Sequence, residues 1–478
     1  MNCTEMMLAK DKMEEECGVF GVYSKTQKEV SQLTYYALYA LQHRGQESAG
    51  ITVSNNGELV TYKGMGLTAD VFTQETLNNL QGNAAIGHVR YSTTGESKIE
   101  NAQPLESRFK LGQIAVAHNG NLTNTRVIRE LLEDGGATFT STTDSEVIIK
   151  MVARKAVNGF EEAIRSTVGA IKGAYALVIL ADNKLIGVRD PYGIRPLCLG
   201  MNEEGDYFLA SESCAIDSIG GHLVRDVEAG EMVIIDETGV KSIRYAENNK
   251  VAPCSFEHIY FARPDSIIDG INVYEARVRA GRLLAKQMKI EADIVIGVPD
   301  SGIPAAIGYA EESGIPYAMG LIKNKYIGRT FIKPTQALRE QAVMVKLNPL
   351  RVQLEGKRVV IIDDSLVRGT TSKILIDLIR RAGAKEVHFR SASPAVKYSC
   401  FYGIDTAHRD ELIAARMTVD EIRKEINADT LDYLSMDNMI KSLDCKDYCV
   451  GCFNGVYPMC TPTEEQKNYL GGKNGNFL

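Results

Sequence analysis

The stretch VVIIDDSLVRGTTS, residues 359–372, decides how the second half of this chain folds. An unbroken apolar run ends at Asp363 and Asp364, a loop with Gly369 and several hydroxyl residues follows, and a helix is expected to begin around Lys373. Apolar runs without alternation belong to strands covered on both faces, as in parallel sheets. Ligands bind at the carboxyl edge of such a sheet, and the free N–H groups of a helix start attract anions. Thr370, Thr371 and Ser372 add hydroxyl donors, while Gly369 lets the backbone approach a ligand closely. Adjacent carboxylates would repel a phosphate. Asp363 and Asp364 should therefore face sugar hydroxyls or a divalent cation, with the phosphate held by the loop beyond them. A phosphorylated ribose satisfies that division. A capped helix after a strand is the bland alternative.

The same rhythm of strand, loop and helix extends outward from this point, through ADIVIGVPDSG (292–302) and IPAAIGYAEESG (303–314) before it and EVHFRSAS (386–393) after it. This half reads as α/β with a parallel sheet. Residues 17–245 have another texture, α+β: alternating strands, an Asn-Gly turn in SNNGEL (54–59), and helical spacing in VSQLTYYALYALQHRG (30–45) and DSEVIIKMVARKAV (144–157). The polar segment AENNKVAPCSF, 246–256, separates the two textures. The organisation expected is a leader at 1–16, a first domain at 17–245, a second at 246–425 and a C-terminal segment at 426–478.

A chain of 478 residues has room for two cores. No run is long and apolar enough for a membrane helix, and the first sixteen residues lack the apolar core of a signal peptide, so the cytoplasm is the expected location. The net charge of −7 argues against extended contact with nucleic acid or an anionic membrane. Ten cysteines without a secretion signal read as reduced thiols, a nucleophile or metal ligands, and four of them (445, 449, 452 and 460) crowd the C-terminus.

The string from 359 to 372 resembles the phosphoribosyl pyrophosphate motif of type I phosphoribosyltransferases. The resemblance implies that Asp363, Asp364, Ser365, Arg368, Gly369, Thr370, Thr371 and Ser372 bind this sugar phosphate. It also matches Ser301, in VPDSGIP (298–304), to a position associated with Mg2+, which Asp363 and Asp364 would share. The basic segment 323–339, with Lys325, Arg329, Lys333 and Arg339, reads as a lid over pyrophosphate, Lys325 and Arg329 touching the ligand; a solvated loop is the alternative.

In the first half, EEECGVFGVY (14–23), HRGQESAG (43–50), GHVRYSTTG (87–95), NAQP (101–104), AHNGNLTN (117–124) and TDSE (143–146) together resemble the class II glutamine amidotransferase domain, an N-terminal-nucleophile hydrolase with an αββα sandwich. A thiol needs a base at neutral pH, and an α-amino group with a pKa near 8 serves if Cys17 becomes the first residue. Cleavage after Glu16 is the consequence. Cys3 is not followed by a matching Gly-Val-Phe. By resemblance Arg90 receives the glutamine α-carboxylate, Asp144 its α-amino group, and Asn119 and Gly120 the oxyanion. Without a substrate, Arg90 would be a strand-end ion pair and Asp144 a helix cap.

Cysteines at 254, 400, 449 and 452 match the ligands of a [4Fe–4S] cluster carried by some relatives, although four thiolates suit zinc equally and Cys445 and Cys460 compete for the C-terminal pair. The two halves together imply a glutamine-dependent glycosyltransferase. It would hydrolyse glutamine at Cys17 and pass ammonia along a closed path to phosphoribosyl pyrophosphate, giving 5-phosphoribosylamine, pyrophosphate and glutamate, the first committed step of purine synthesis. Inhibition by purine nucleotides and a homotetramer or homodimer are further implications. A nucleotide-sensing regulator with a vestigial glutaminase is the alternative.

Overall fold

The structure is a computed structural model that describes residues 17–25, 29–91, 97–157, 159–247, 250–324, 347–404, 406, 409–444 and 447–461. The leader at 1–16 with Cys3, the lid residues Lys325, Arg329, Lys333 and Arg339, and Cys445 lie outside the described residues.

The first half is built from two antiparallel sheets. The seven-stranded sheet runs in the order His222–Asp226, Cys198–Met201, Tyr207–Ala210, Gly18–Tyr23, Ala84–Arg90, Ser48–Asn55 and Glu58–Met65. The six-stranded sheet runs Gly239–Arg244, Glu231–Asp236, Lys184–Arg189, Gly173–Ala181, Gly112–Leu122 and Leu105–Phe109. Val19 and Ile86 of the first sheet meet Ala117, Val178 and Val233 of the second in one dry layer. The outer faces are covered by helices: Val30–Ala40 on the first sheet, Asp144–Lys155 and Phe160–Val168 on the second. This is the αββα sandwich expected. The Asn-Gly turn forms as read, with Asn56 and Gly57 both at positive φ between paired Asn55 and Glu58.

In the second half Ile294–Gly297, Arg358–Asp363, Glu386–Ser391 and Thr430–Tyr433 form a parallel sheet in that order. The unbroken apolar run explains itself here. Val360 and Ile362 pack toward the helices Val273–Gln287 and Ile303–Ser313, while Val359 and Ile361 pack toward Thr370–Arg381 and Val419–Glu425. One difference from the sequence reading is local. The helix after the acidic pair starts at Thr370 rather than near Lys373, because Gly369 takes a left-handed φ of 85° and turns the chain into the helix at once.

The segment 250–262 is no loose linker. Cys254, Phe256 and Phe261 are buried in the core of the second half, and Cys254 N donates to Ile194 O at 3.2 Å in the first. A buried ion network crosses the same junction. Arg44, 1% exposed, donates to Glu212 and, at 2.7 Å, to Glu257 Oε1. Glu212 Oε2 also accepts from Ser266 Oγ at 2.6 Å and Arg263 N at 2.9 Å. Burial alone would raise the Glu212 carboxyl, but His43 and Arg44 hold it well below the usual carboxylate range. Removing one member of such a network strands buried charge. The variant Glu257→Ala should lower stability by about 3–5 kcal/mol, read from the urea midpoint, and an unchanged midpoint would show the network to be energetically idle.

Candidate active sites

Cys17 immediately precedes the strand Gly18–Tyr23, which lies inside the seven-stranded sheet. Gly18 pairs with Val89, so the thiol lies beside Arg90 at the end of the neighbouring strand. Asn119 and Gly120 come from the other sheet, and Asp144 opens the helix Asp144–Lys155. Of these groups Cys17, Arg90, Gly120 and Asp144 meet, with His118, in the walls of a cleft of about 250 Å³. The sequence-predicted glutamine residues are thus brought together by both sheets and one helix start.

Each polar group has a defined setting. The Cys17 thiol donates to Tyr91 O at 3.5 Å, and Arg44 Nε donates to Cys17 O at 3.3 Å. Burial pushes the thiol up to about 11, and the neighbouring Tyr91 carbonyl and Arg90 charge only partly offset it. Arg90 is buried and paired with Glu47. Asp144 Oδ2 accepts from Leu122 N at 2.9 Å, which fixes the carboxylate, and Asp144 Oδ1 lies 3.7 Å from His118 Nδ1. His118 itself is held neutral, first by burial. Asn119 Nδ2 is a buried donor with no partner. Buried donors are almost always satisfied, so this amide keeps the capacity to donate to a ligand oxygen. Gly120 has φ +140°, and a Cβ there would lie 2.0 Å from Ala174 O.

The second site lies at the carboxyl edge of the parallel sheet. Asp363 and Asp364 are buried, Asp364 accepts from Ser301 Oγ and, at 2.7 Å, from Ser365 Oγ, and Asp364 N donates to Asp363 Oδ1 at 3.0 Å. Ser301 therefore joins the acidic pair across two loops. Thr370, Thr371 and Ser372 form the first turn of the helix beyond, and Arg368 is paired with Glu411. Arg277, which the sequence reading missed, lines a cavity with Ser301 and Asp364. Its guanidinium donates to His258 O and Ala262 O, both at 2.8 Å, and burial lowers it to about 10 with Asp364 opposing. Sequence carried no sign of it, since an arginine within an amphipathic helix reads as surface.

The chain segments that carry Cys254, Cys400, Cys449 and Cys452 come together. Cys254 and Cys449 form a backbone bridge, and the amides of Lys397 and Tyr398, just before Cys400, donate to Cys452 O at 2.9 and 3.0 Å. Burial pushes Cys449 up to about 12 and Cys452 further, with the neighbouring cysteines adding to the latter. Cys460 is exposed. Among the described residues no three His, Cys, Asp or Glu side chains gather at the spacing of a single metal ion.

Residues 88–218 match the family described as glutamine amidotransferase domain, and residues 272–399 the phosphoribosyl transferase domain. The chain is 51% identical over 468 residues to the amidophosphoribosyltransferase of Synechocystis, covering 96% of this chain and 94% of that one. It is 49% identical to the Bacillus subtilis amidophosphoribosyltransferase, covering 95% and 96%. A solved B. subtilis structure, glutamine phosphoribosylpyrophosphate amidotransferase complexed with ADP and GMP, superposes with a TM-score of 0.89 at 48% identity, covering 94% of this chain and 98% of that one. No helix among the described residues is long and apolar enough to cross a membrane.

The raised thiol has a direct test. In protein retaining residues 1–16, alkylation of Cys17 by iodoacetamide should accelerate about tenfold per pH unit from about pH 7 to about pH 10, because only the thiolate reacts. A plateau near pH 8 in that precursor would contradict the buried, unassisted thiol.

Proposed function

The chain belongs to the amidophosphoribosyltransferase family, and from that premise we propose how its own residues perform the reaction. The enzyme hydrolyses glutamine and places the nitrogen on phosphoribosyl pyrophosphate, giving 5-phosphoribosylamine, pyrophosphate and glutamate in purine biosynthesis. The observation that carries the residue assignment is the cleft that brings Cys17, Arg90, Gly120 and Asp144 together, with the buried, unpartnered Asn119 amide one residue before Gly120 on the same strand.

At a pKa of about 11 the thiol is ionised in roughly one molecule in ten thousand at pH 7. A base is required. Cleavage after Glu16 frees the Cys17 α-amino group, which takes the thiol proton as sulfur attacks the glutamine amide carbon. Negative charge then develops on the amide oxygen, where Asn119 Nδ2 and the Gly120 N–H donate to it. Collapse breaks the C–N bond, the proton passes to the departing nitrogen, and ammonia leaves behind a thioester that water hydrolyses to glutamate. Arg90 and Asp144 grip the substrate's carboxylate and amino ends, so its amide is presented to sulfur in one orientation.

Ammonia uses its lone pair to attack C1 of the sugar, and the C1–O bond breaks with its electrons going to pyrophosphate. Water would protonate free ammonia and remove that lone pair. We therefore assign its passage to the protein interior, in support of which a cavity with Ile259, Ala276, Ala280 and Ala305 in its walls reaches Ser301 and Asp364. The segment 323–339, with Lys325 and Arg329, is the proposed lid.

Oxygen donors at Ser301, Asp363 and Asp364 suit Mg2+, which would neutralise pyrophosphate charge there. Four thiolates at Cys254, Cys400, Cys449 and Cys452 would suit a [4Fe–4S] cluster, the reading taken from the family resemblance, or zinc, and backbone bonds bring their chain segments together. The place of the cluster would be structural, tying 449–452 to the junction at Cys254. Purine nucleotides, as in the B. subtilis complex with ADP and GMP, would inhibit through the loop 365–372, and the enzyme would act as a cytoplasmic homodimer or homotetramer.

Purified active enzyme should have an intact mass beginning at Cys17, and Cys17→Ala should abolish glutamine-dependent synthesis while sparing the ammonia-dependent reaction. Full activity in protein retaining Met1, or loss of both activities together in the variant, would refute the assignment.

A further inference from the structure

The strand Gly112–Leu122, which carries Asn119 and Gly120, is paired unevenly. Gly173–Ala181 accompanies it along Ile114–Leu122, but Leu105–Phe109 reaches only Val116. At Asn119–Asn121 one edge of the strand therefore has no strand beside it among the described residues. A segment from the other half of the molecule comes in against this stretch. Asn121 Nδ2 donates to Phe401 O at 2.9 Å. Gly403, at φ +115°, approaches so closely that a Cβ on it would lie 3.0 Å from Gly120 Cα and 3.1 Å from Gly120 C. The incoming segment is itself firmly held. Cys400 N donates to Thr406 Oγ1 at 2.7 Å, Tyr402 N to Cys400 Sγ at 3.3 Å, and Tyr402 OH, on a fully buried ring, to Met459 O at 2.9 Å.

We propose that Asn121 and Gly403 are positioning residues for the glutamine reaction, and that the segment Phe401–Gly403 of the acceptor half sets the placement of the oxyanion donors at Asn119 and Gly120. The inference rests on the oxyanion assignment made above. Donors of this kind act by being fixed before charge develops, and losing one costs about 10²–10³ in kcat. A shift of a few tenths of an ångström at Gly120 moves the Asn119 amide and the Gly120 N–H together, because they are consecutive on one strand. Such a shift acts on the oxyanion donors first and so weakens transition-state binding more than the grip on ground-state glutamine, since Arg90 stands on another strand and Asp144 is met only two residues further on, at Leu122 N. Glutaminase turnover is thereby tied to the integrity of the half that consumes its ammonia, through a contact of two glycines and one amide.

The test is steady-state kinetics on the mature full-length enzyme carrying Asn121→Ala, Gly403→Ala, Asn119→Ala, and each of the first two combined with Asn119→Ala. Asn121→Ala and Gly403→Ala should each lower kcat for glutamine about tenfold or more with KM changed less than about twofold, and add little once Asn119 is already alanine. Ammonia-dependent synthesis, which does not use the glutamine cleft, reports folding and should persist; if Gly403→Ala fails that control, Asn121→Ala carries the test. Unchanged kcat, a loss expressed in KM, or a loss that multiplies fully with that of Asn119→Ala would overturn the proposal while leaving the oxyanion assignment standing. A harmless Asn119→Ala would remove that assignment, and the proposal with it.

Discussion

A buried guanidinium is the constraint on which the two halves depend. Arg44 reaches the carbonyl of Cys17, the proposed nucleophile, the Glu212 carboxylate of its own half and Glu257 of the other. Without those carboxylates the charge would have to leave the interior, so the docking of the halves and the placement of Cys17 are a single interaction. Arg195, fully buried and 3.6 Å from Glu257, adds a second cation to the same knot. A junction built this way does not slide, because any displacement breaks charge-assisted bonds that water cannot reach to replace.

That rigidity suits the chemistry. One site makes a small neutral nucleophile that water would inactivate by protonation, and the other consumes it at a sugar carbon. The halves therefore need a dry seam more than a large one, and the seam here carries buried Phe256, Phe401, Tyr402 and Phe453 alongside Cys254, Cys400 and Cys452. The four cysteines stand where three chain segments cross: 254 from the junction, 400 from the acceptor half and 449–452 from the C-terminus. A tether at such a crossing, as proposed, would restrain all three at once.

Much of this was legible in the chain because its signals are local. The run VVIIDD announces a strand buried on both faces, and Asn56-Gly57 announces a hairpin; both depend only on neighbours in sequence. The glutamine site was legible as motifs, yet the partners that hold it were not. Glu47 on Arg90, Leu122 N on Asp144 and Glu257 on Arg44 are all set by which strands and helices meet, and no spacing in the sequence encodes them. The helix start at Thr370 was misplaced by a few residues for a related reason: serine and threonine read as loop until the left-handed Gly369 is seen to launch the helix directly. The segment 246–256 read as a polar boundary because the burial of Cys254 and Phe256 is supplied by elements distant in sequence.

The central claim is that nitrogen crosses between the sites inside the protein. It is tested most directly by supplying glutamine labelled with ¹⁵N in the side-chain amide together with a large excess of unlabelled ammonium, below the pH at which ammonium itself drives synthesis, and measuring the isotope in the aminated sugar. The account predicts product that keeps nearly all of the label. Label diluted to the fraction present in bulk solution would show that ammonia escapes into water before it reacts, and would contradict the account.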